Sequence, residues 1–284
     1  MNAETVFWIV HLPLMLLFLI GMGVVLRTWF RGRVEGYESD STGRKGLRMF
    51  GTALSAIFSR QFPLVVKTFV TEVWFNRRLW RASFWRWLNH FLLLSGFMLL
   101  MTLSGIAALS DKLLNHVFHL GDVPWIAMWY NPDHPVTAVL NEAGGLLMTI
   151  GFLFFFVRRY VFRVPQLRTD PMDTWMTFGL GLILLSGWAA EIVRLNSSHA
   201  LSTAYLSFVG YPLSRLFVGL QLDWDRLFEW MYVGHGLLTS VVIVTIPFSK
   251  FMHVIAGGLL AWMDQFQEET ASGRRERGGA HVGV

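Results

Sequence analysis

The sequence predicts an all-α membrane protein: a bundle of five transmembrane helices, N-terminus outside and C-terminus in the cytoplasm. Three observations predict it. The 284 residues are 54% hydrophobic with a mean hydropathy of +0.45, too apolar for an ordinary soluble domain. Five stretches are long and apolar enough to cross about 30 Å of hydrocarbon. Lys and Arg gather on alternate sides of those stretches, as the positive-inside rule requires. The 13 Trp and 24 Phe add aromatic content of the kind found at membrane–water interfaces.

The first span covers residues 6–26. It lacks a basic leading region and a small-residue cleavage pattern, so it reads as a retained helix and not as a signal peptide. Half of the 24 Lys and Arg residues then lie between Arg27 and Arg86. Within that segment residues 31–46 are polar and Gly-rich, which predicts a turn or ordered strap. Residues 47–80 mix apolar and basic side chains, the pattern of one or two helices lying in the cytoplasmic interface or forming a platform for a partner. The second, third and fourth spans cover 88–109, 137–157 and 174–194, and the fifth covers 229–249. Lys112 is the one basic residue between the second and third. Arg158, Arg159, Arg163 and Arg168 separate the third from the fourth, and Lys250, Arg274, Arg275 and Arg277 follow the fifth. These divisions give a first helix over 1–30, a basic interfacial segment over 31–87, a four-helix membrane domain over 88–260 and a mobile cytoplasmic tail over 261–284.

Several classes are disfavoured. With no cysteine there is no disulfide framework, and no thiolate to hold an iron–sulfur cluster or attach haem covalently. The net charge of +5 follows the sides of the membrane, which argues against nucleic acid as a partner. No internal repeat is visible, which argues against transporters built from inverted repeats.

The histidines carry the chemistry. His235 and His253 are eighteen residues apart, five whole helical turns, so on one continuous helix both project from one face, roughly 27 Å apart. One porphyrin cannot use both. They point to two redox centres at opposite membrane surfaces, or to one centre and an unrelated histidine. His90 stands at the cytoplasmic entry of the second span, at the depth expected for His253 at the exit of the fifth. Two imidazoles facing each other across a helix bundle hold a b-type haem, and ionisable groups inside a membrane are costly enough to be functional by default. His235 lies in the outer half of the fifth span, where the second span offers Leu100, Leu103 and Ser104 instead of a histidine. His11, about one turn into the outer leaflet, is level with it. Either His11 and His235 bind a second haem, or His235 packs on a small neighbour and His11 belongs to a Pro-started helix. His116 and His119 read as a solvated loop pair.

From Arg77 to Leu260 the chain resembles the cytochrome b family typified by the gamma subunit of respiratory nitrate reductase. Within that family it is most similar to the cytochrome subunits of heterodisulfide-reductase-like complexes, including those of dissimilatory sulfur metabolism. The residues that carry the resemblance are Arg77-Arg-Leu-Trp-Arg81 with Arg86-Trp-Leu-Asn-His90, Gly144-Gly-Leu-Leu-Met-Thr-Ile-Gly151 with Arg158-Arg159, Gly187-Trp-Ala-Ala-Glu191-Ile-Val-Arg194, and Gly234-His235 followed by Ile246-Pro-Phe-Ser-Lys250-Phe-Met-His253. The resemblance implies a quinone-reactive dihaem cytochrome that anchors a cytoplasmic iron–sulfur subunit in a prokaryotic cytoplasmic (inner) membrane. His90 and His253 would hold the cytoplasmic-side haem and His235 the outer one. Where the family supplies the outer haem's second ligand, ten residues after the first histidine, this chain has Leu100.

The expected function is electron passage between the membrane quinone pool and a cytoplasmic iron–sulfur partner. A periplasmic cytochrome meeting the outer loops is a further candidate partner. Glu191 and Arg194, one turn apart at the outer end of the fourth span, and Lys112 are the candidates for gripping the quinone ring oxygens and taking protons. The alternative for Glu191 and Arg194 is a helix-end ion pair worth a few tenths of a kcal/mol. The alternative for the whole chain is a haem-free membrane anchor that recruits a cytoplasmic partner.

Overall fold

A computed structural model describes residues 3–31, 39–163, 170–249 and 251–252. Among the described residues every regular element is helical, and the chain is an all-α, multi-pass membrane protein. Five helical stretches have the length and apolar composition to cross a bilayer: Thr5–Phe30, Phe84–Asn115, Pro124–Val161, Pro171–Asn196 and Trp224–Phe248. All five predicted spans are present, and all five are longer than predicted. The apolar runs stop where polar residues begin, but a backbone leaving hydrocarbon must stay internally hydrogen-bonded until water can take over. Thus the second stretch continues through wider π-type turns over Leu109–Asn115, and the third through Val157–Val161.

In chain order the helices are α1 (Ala3–Phe30), α2 (Thr42–Ile57), α3 (Phe62–Thr68), α4 (Arg77–Ala82), α5 (Phe84–Ala108), α6 (Pro124–Tyr130), α7 (Pro135–Phe156), α8 (Pro171–Asn196), α9 (Gly210–Arg215) and α10 (Trp224–Val244). Their starts follow from local sequence. Pro135 opens α7, and His134 Nδ1 accepts from Val136 N at 3.3 Å. Pro171 opens α8, where Asp170 and Asp173 cap each other and Arg159 donates to Asp173 Oδ2 at 2.7 Å. Proline at the first helical position lacks only an N–H that would have no partner there.

One sequence expectation is corrected at α10. The eighteen-residue spacing of His235 and His253 implies a single helix, but α10 ends at Val244. A 3₁₀ turn follows over Ile246–Phe248, and Ser249 is extended at φ −117°, ψ 169°. Pro247 is the cause: it has no N–H to donate, and its ring clashes with the carbonyl four residues back. The helix that carries His235 is therefore not one unbroken α-helix up to residue 253.

The helices sort into two compact units. The first comprises residues 1–12 and 88–242. In it α5 lies close against α7: a Cβ added to Gly96 would stand 2.5 Å from Met148 N, and one added to Gly151 would stand 2.8 Å from Leu93 N. Asn89 donates to Gly151 O at 2.7 Å across the same seam. Because backbone, not a flexible side chain, fills the space at Gly96, Gly96→Val is expected to cost about 1–3 kcal/mol through overpacking, read as a lower melting temperature of the detergent-solubilised protein. Trp188 Nε1 donates to Thr149 Oγ1 at 3.0 Å and ties α8 to α7.

The second unit comprises residues 13–87 and 243–284. Its helices α2 to α4 occupy the stretch where interfacial helices were expected. Phe75, Trp80 and Trp87 form an aromatic cluster with centroids 4.4–5.8 Å apart, and Trp87 Nε1 donates to Phe75 O. Glu72 is buried and paired with Arg77 at 3.1 Å. Leu47, Leu54 and Phe58 recur at helical spacing and are all exposed, which is the apolar face an interfacial helix needs.

Candidate functional site

The first unit holds two of the histidines singled out by the sequence in closely similar settings. His235, on α10, is half-buried against α8. Its ring lies over Gly187, where an added Cβ would stand 3.3 Å from His235 Cε1, so glycine leaves the ring its room. His235 Nδ1 is 2.9 Å from Ser186 Oγ, and Ser186 Oγ donates to Ile183 O at 3.1 Å. A serine has one hydroxyl proton. When that proton goes to the carbonyl, the contact to His235 is completed by a proton on Nδ1, the tautomer that leaves the lone pair on Nε2.

His11, on α1, repeats the arrangement. Its ring stacks on Phe7 at 4.8 Å and 16°. Nδ1 is 2.7 Å from Ser240 Oγ, which donates to Gly236 O at 2.7 Å. The same tautomer, with the proton on Nδ1 and the lone pair on Nε2, satisfies both contacts of the Ser240 hydroxyl. The two imidazoles use different sides of α10. Ser240 and Gly236 stand about 120° around the helix from His235, which is bonded to α8.

His90 is half-buried on α5, next to the Asn89 anchor. His253 lies outside the described residues. Leu100, at the position where the resembled family carries a ligand, packs on α7: its Cγ is 3.0 Å from a Cβ added to Gly144. The donor set suits a haem. Imidazoles whose Nδ1 is held by a hydrogen bond are the kind of ligand an axially bound iron uses.

A buried polar network lies where α7 begins and α8 ends. Arg194, 6% exposed, donates from Nε to Glu191 Oε2 at 3.0 Å and from Nη2 to Glu191 Oε1 at 2.8 Å. Its Nη1 donates to Asp133 Oδ1 at 2.6 Å, and Asp133, 1% exposed, also accepts from Leu201 N at 2.9 Å. Ser207 Oγ donates to Glu191 Oε1 at 2.9 Å. Glu142, 2% exposed, accepts from Val209 N at 2.9 Å and Gly210 N at 3.1 Å. A Cβ added to Gly210 would stand 2.8 Å from both Glu142 Oε1 and Glu191 Cγ. Two carboxyls thus bond one guanidinium and a hydroxyl bonds one of them, while a third carboxyl, Glu142, is held close by on backbone N–H groups: a set of groups able to hold and exchange a proton.

The structure therefore brings Glu191 and Arg194 together. It adds Asp133 as a partner of Arg194 that sequence reasoning missed, and sets Lys112 against its neighbour Asp111 at 3.0 Å, half exposed. Glu142 was also missed, although a lone carboxyl inside a predicted span is itself a signal. Asp133 gave none, since Asn131-Pro-Asp133 reads as a turn. Ser186 and Ser240 gave none either, because their partners lie 49 and 229 residues away.

Comparison with known proteins adds relatives to this geometry. A family model described as the nitrate reductase gamma subunit matches residues 116–267. One subunit of the dihydromethanophenazine:CoB–CoM heterodisulfide reductase of Methanosarcina mazei is 24% identical over 249 residues, covering 84% of this chain and 85% of the relative. The corresponding protein of Methanosarcina barkeri is 24% identical over 258 residues, covering 84% of each. No solved structure gives a significant match.

Proposed function

The chain belongs to the nitrate reductase gamma subunit family and is a membrane subunit of a redox complex. From that premise we propose that it is a b-type cytochrome, in a prokaryotic cytoplasmic membrane, passing electrons between the quinone pool and a cytoplasmic iron–sulfur subunit. The observation that best supports this is His235, its ring over Gly187 and its Nδ1 held 2.9 Å from Ser186 Oγ.

His90 and His253 would hold one haem b, and His235 a second, with His11 as its other ligand in place of the missing residue at Leu100. That second pairing asks the two imidazoles to turn toward a common iron from different sides of α10. Haem, when bound, supplies reversible one-electron transfer. The remaining steps are this chain's own. With the N-terminus outside, the Glu191/Arg194 network lies at the outer surface. There Arg194 orients Glu191, and the Glu191 carboxylate takes a proton leaving a quinol hydroxyl, while Lys112 stands at the exposed rim. Oxidising one quinol to quinone releases two protons outward and two electrons inward; quinone reduction uses the same groups in reverse.

The test is addition of a reduced short-chain quinol to membranes holding the purified chain, followed in the visible b-type bands. Bands that rise with quinol and do not rise in its absence support the reading. Haem bands that dithionite reduces but no quinol reduces would remove the quinone half of it.

A further inference from the structure

Two serines do for two histidines what neither the family match nor the ligand assignment specifies. Ser186 bonds His235 Nδ1 at 2.9 Å and passes its own proton to Ile183 O. Ser240 bonds His11 Nδ1 at 2.7 Å and passes its own proton to Gly236 O. The order of groups is the same in both: imidazole, hydroxyl, then a helix carbonyl three or four residues earlier. The two serines stand on different helices, α8 and α10, and Ser240 is buried.

A histidine packed for shape alone needs no particular tautomer. A metal ligand does, because only the nitrogen without a proton can coordinate, and the bond made by the other nitrogen decides which one that is. We propose that Ser186 and Ser240 are positioning residues: each fixes its histidine as the Nδ1–H tautomer, aims Nε2 as an axial ligand, and raises the electron density the imidazole offers to iron. This rests on the haem reading above and deepens it.

The experiment uses the full chain in detergent with its native haem complement. Ser186→Ala and Ser240→Ala are compared with Ser186→Thr and Ser240→Thr, which keep a hydroxyl. Thr149→Ala serves as a control, since it removes a hydroxyl bonded to Trp188 elsewhere on the same helix pair. The readouts are haem retained after dilution, the midpoint potentials, and the low-field electron paramagnetic resonance signal of the oxidised haems. Each alanine variant is expected to raise the midpoint potential of one haem, shift its signal and weaken its retention by roughly tenfold or more, with threonine restoring the wild-type values and Thr149→Ala changing none of them. A shift in Ser186→Ala alone would overturn the Ser240 half and leave Ser186 standing. A wild-type chain with haem whose potentials and signals ignore both alanine variants would overturn the inference and leave the haem reading intact. A wild-type chain without haem would overturn the haem reading first.

Discussion

Alanine at His90 and alanine at His253, made separately, are each expected to remove the same b-type haem. The haem content of the purified chain should fall by one per chain in either variant and by no more in the double variant. An iron held between two imidazoles is lost when either is lost, so the effects must be non-additive, as for any two residues acting as a unit. Quinol-driven delivery to a cytoplasmic acceptor should vanish in all three variants, because they interrupt the route at one point. His90 lies on α5, half-buried beside an asparagine that ties the helix to α7 through Gly151 O. Pigment quantified per chain after purification checks it, and losses of different haems in the two single variants would separate the pair.

Arg194→Leu is expected to be the most destabilising single change away from the histidines. The guanidinium satisfies Glu191 through two hydrogen bonds and Asp133 through a third, and all three groups are largely buried. Removing it leaves two buried carboxylates without their shared counter-charge. Breaking a buried pair from one side costs about 3–5 kcal/mol. Arg194→Lys should recover part of this, because a lysine keeps the charge but not the fork that meets both oxygens of Glu191. Adding Glu191→Gln to Arg194→Leu should also recover part, because it removes one of the stranded charges. Melting temperatures of the four proteins in one detergent give the comparison. Equal stability of Arg194→Leu and wild type would mean the network is not buried as described.

Much of this was legible in the sequence, and the rest was hidden for physical reasons. The spans were readable because hydrocarbon demands long apolar runs, and 88–109 or 174–194 cannot be mistaken for anything shorter. Their true ends were not, since polar residues such as Asp111 and Arg158 stop the hydropathy signal while the helix continues. The break after Val244 was available in Pro247, but the eighteen-residue count ran through it. Glu191 and Arg194 were readable as an i,i+3 pair. Their depth was not, because Asp133 and the loop over residues 201–210 reach them only in three dimensions. The histidines could be named from spacing and span position, but the hydroxyls that orient them are tertiary partners with no local signature.

That this chain carries haem b is tested most directly by a reduced-minus-oxidised visible spectrum of the purified chain, with haem counted against protein. The expected result is b-type bands at two haems per chain. A ratio of one would remove the second site, at His235 and His11, and keep the first. A pure, folded chain without b-type bands would contradict the cytochrome reading and leave a haem-free membrane anchor in its place.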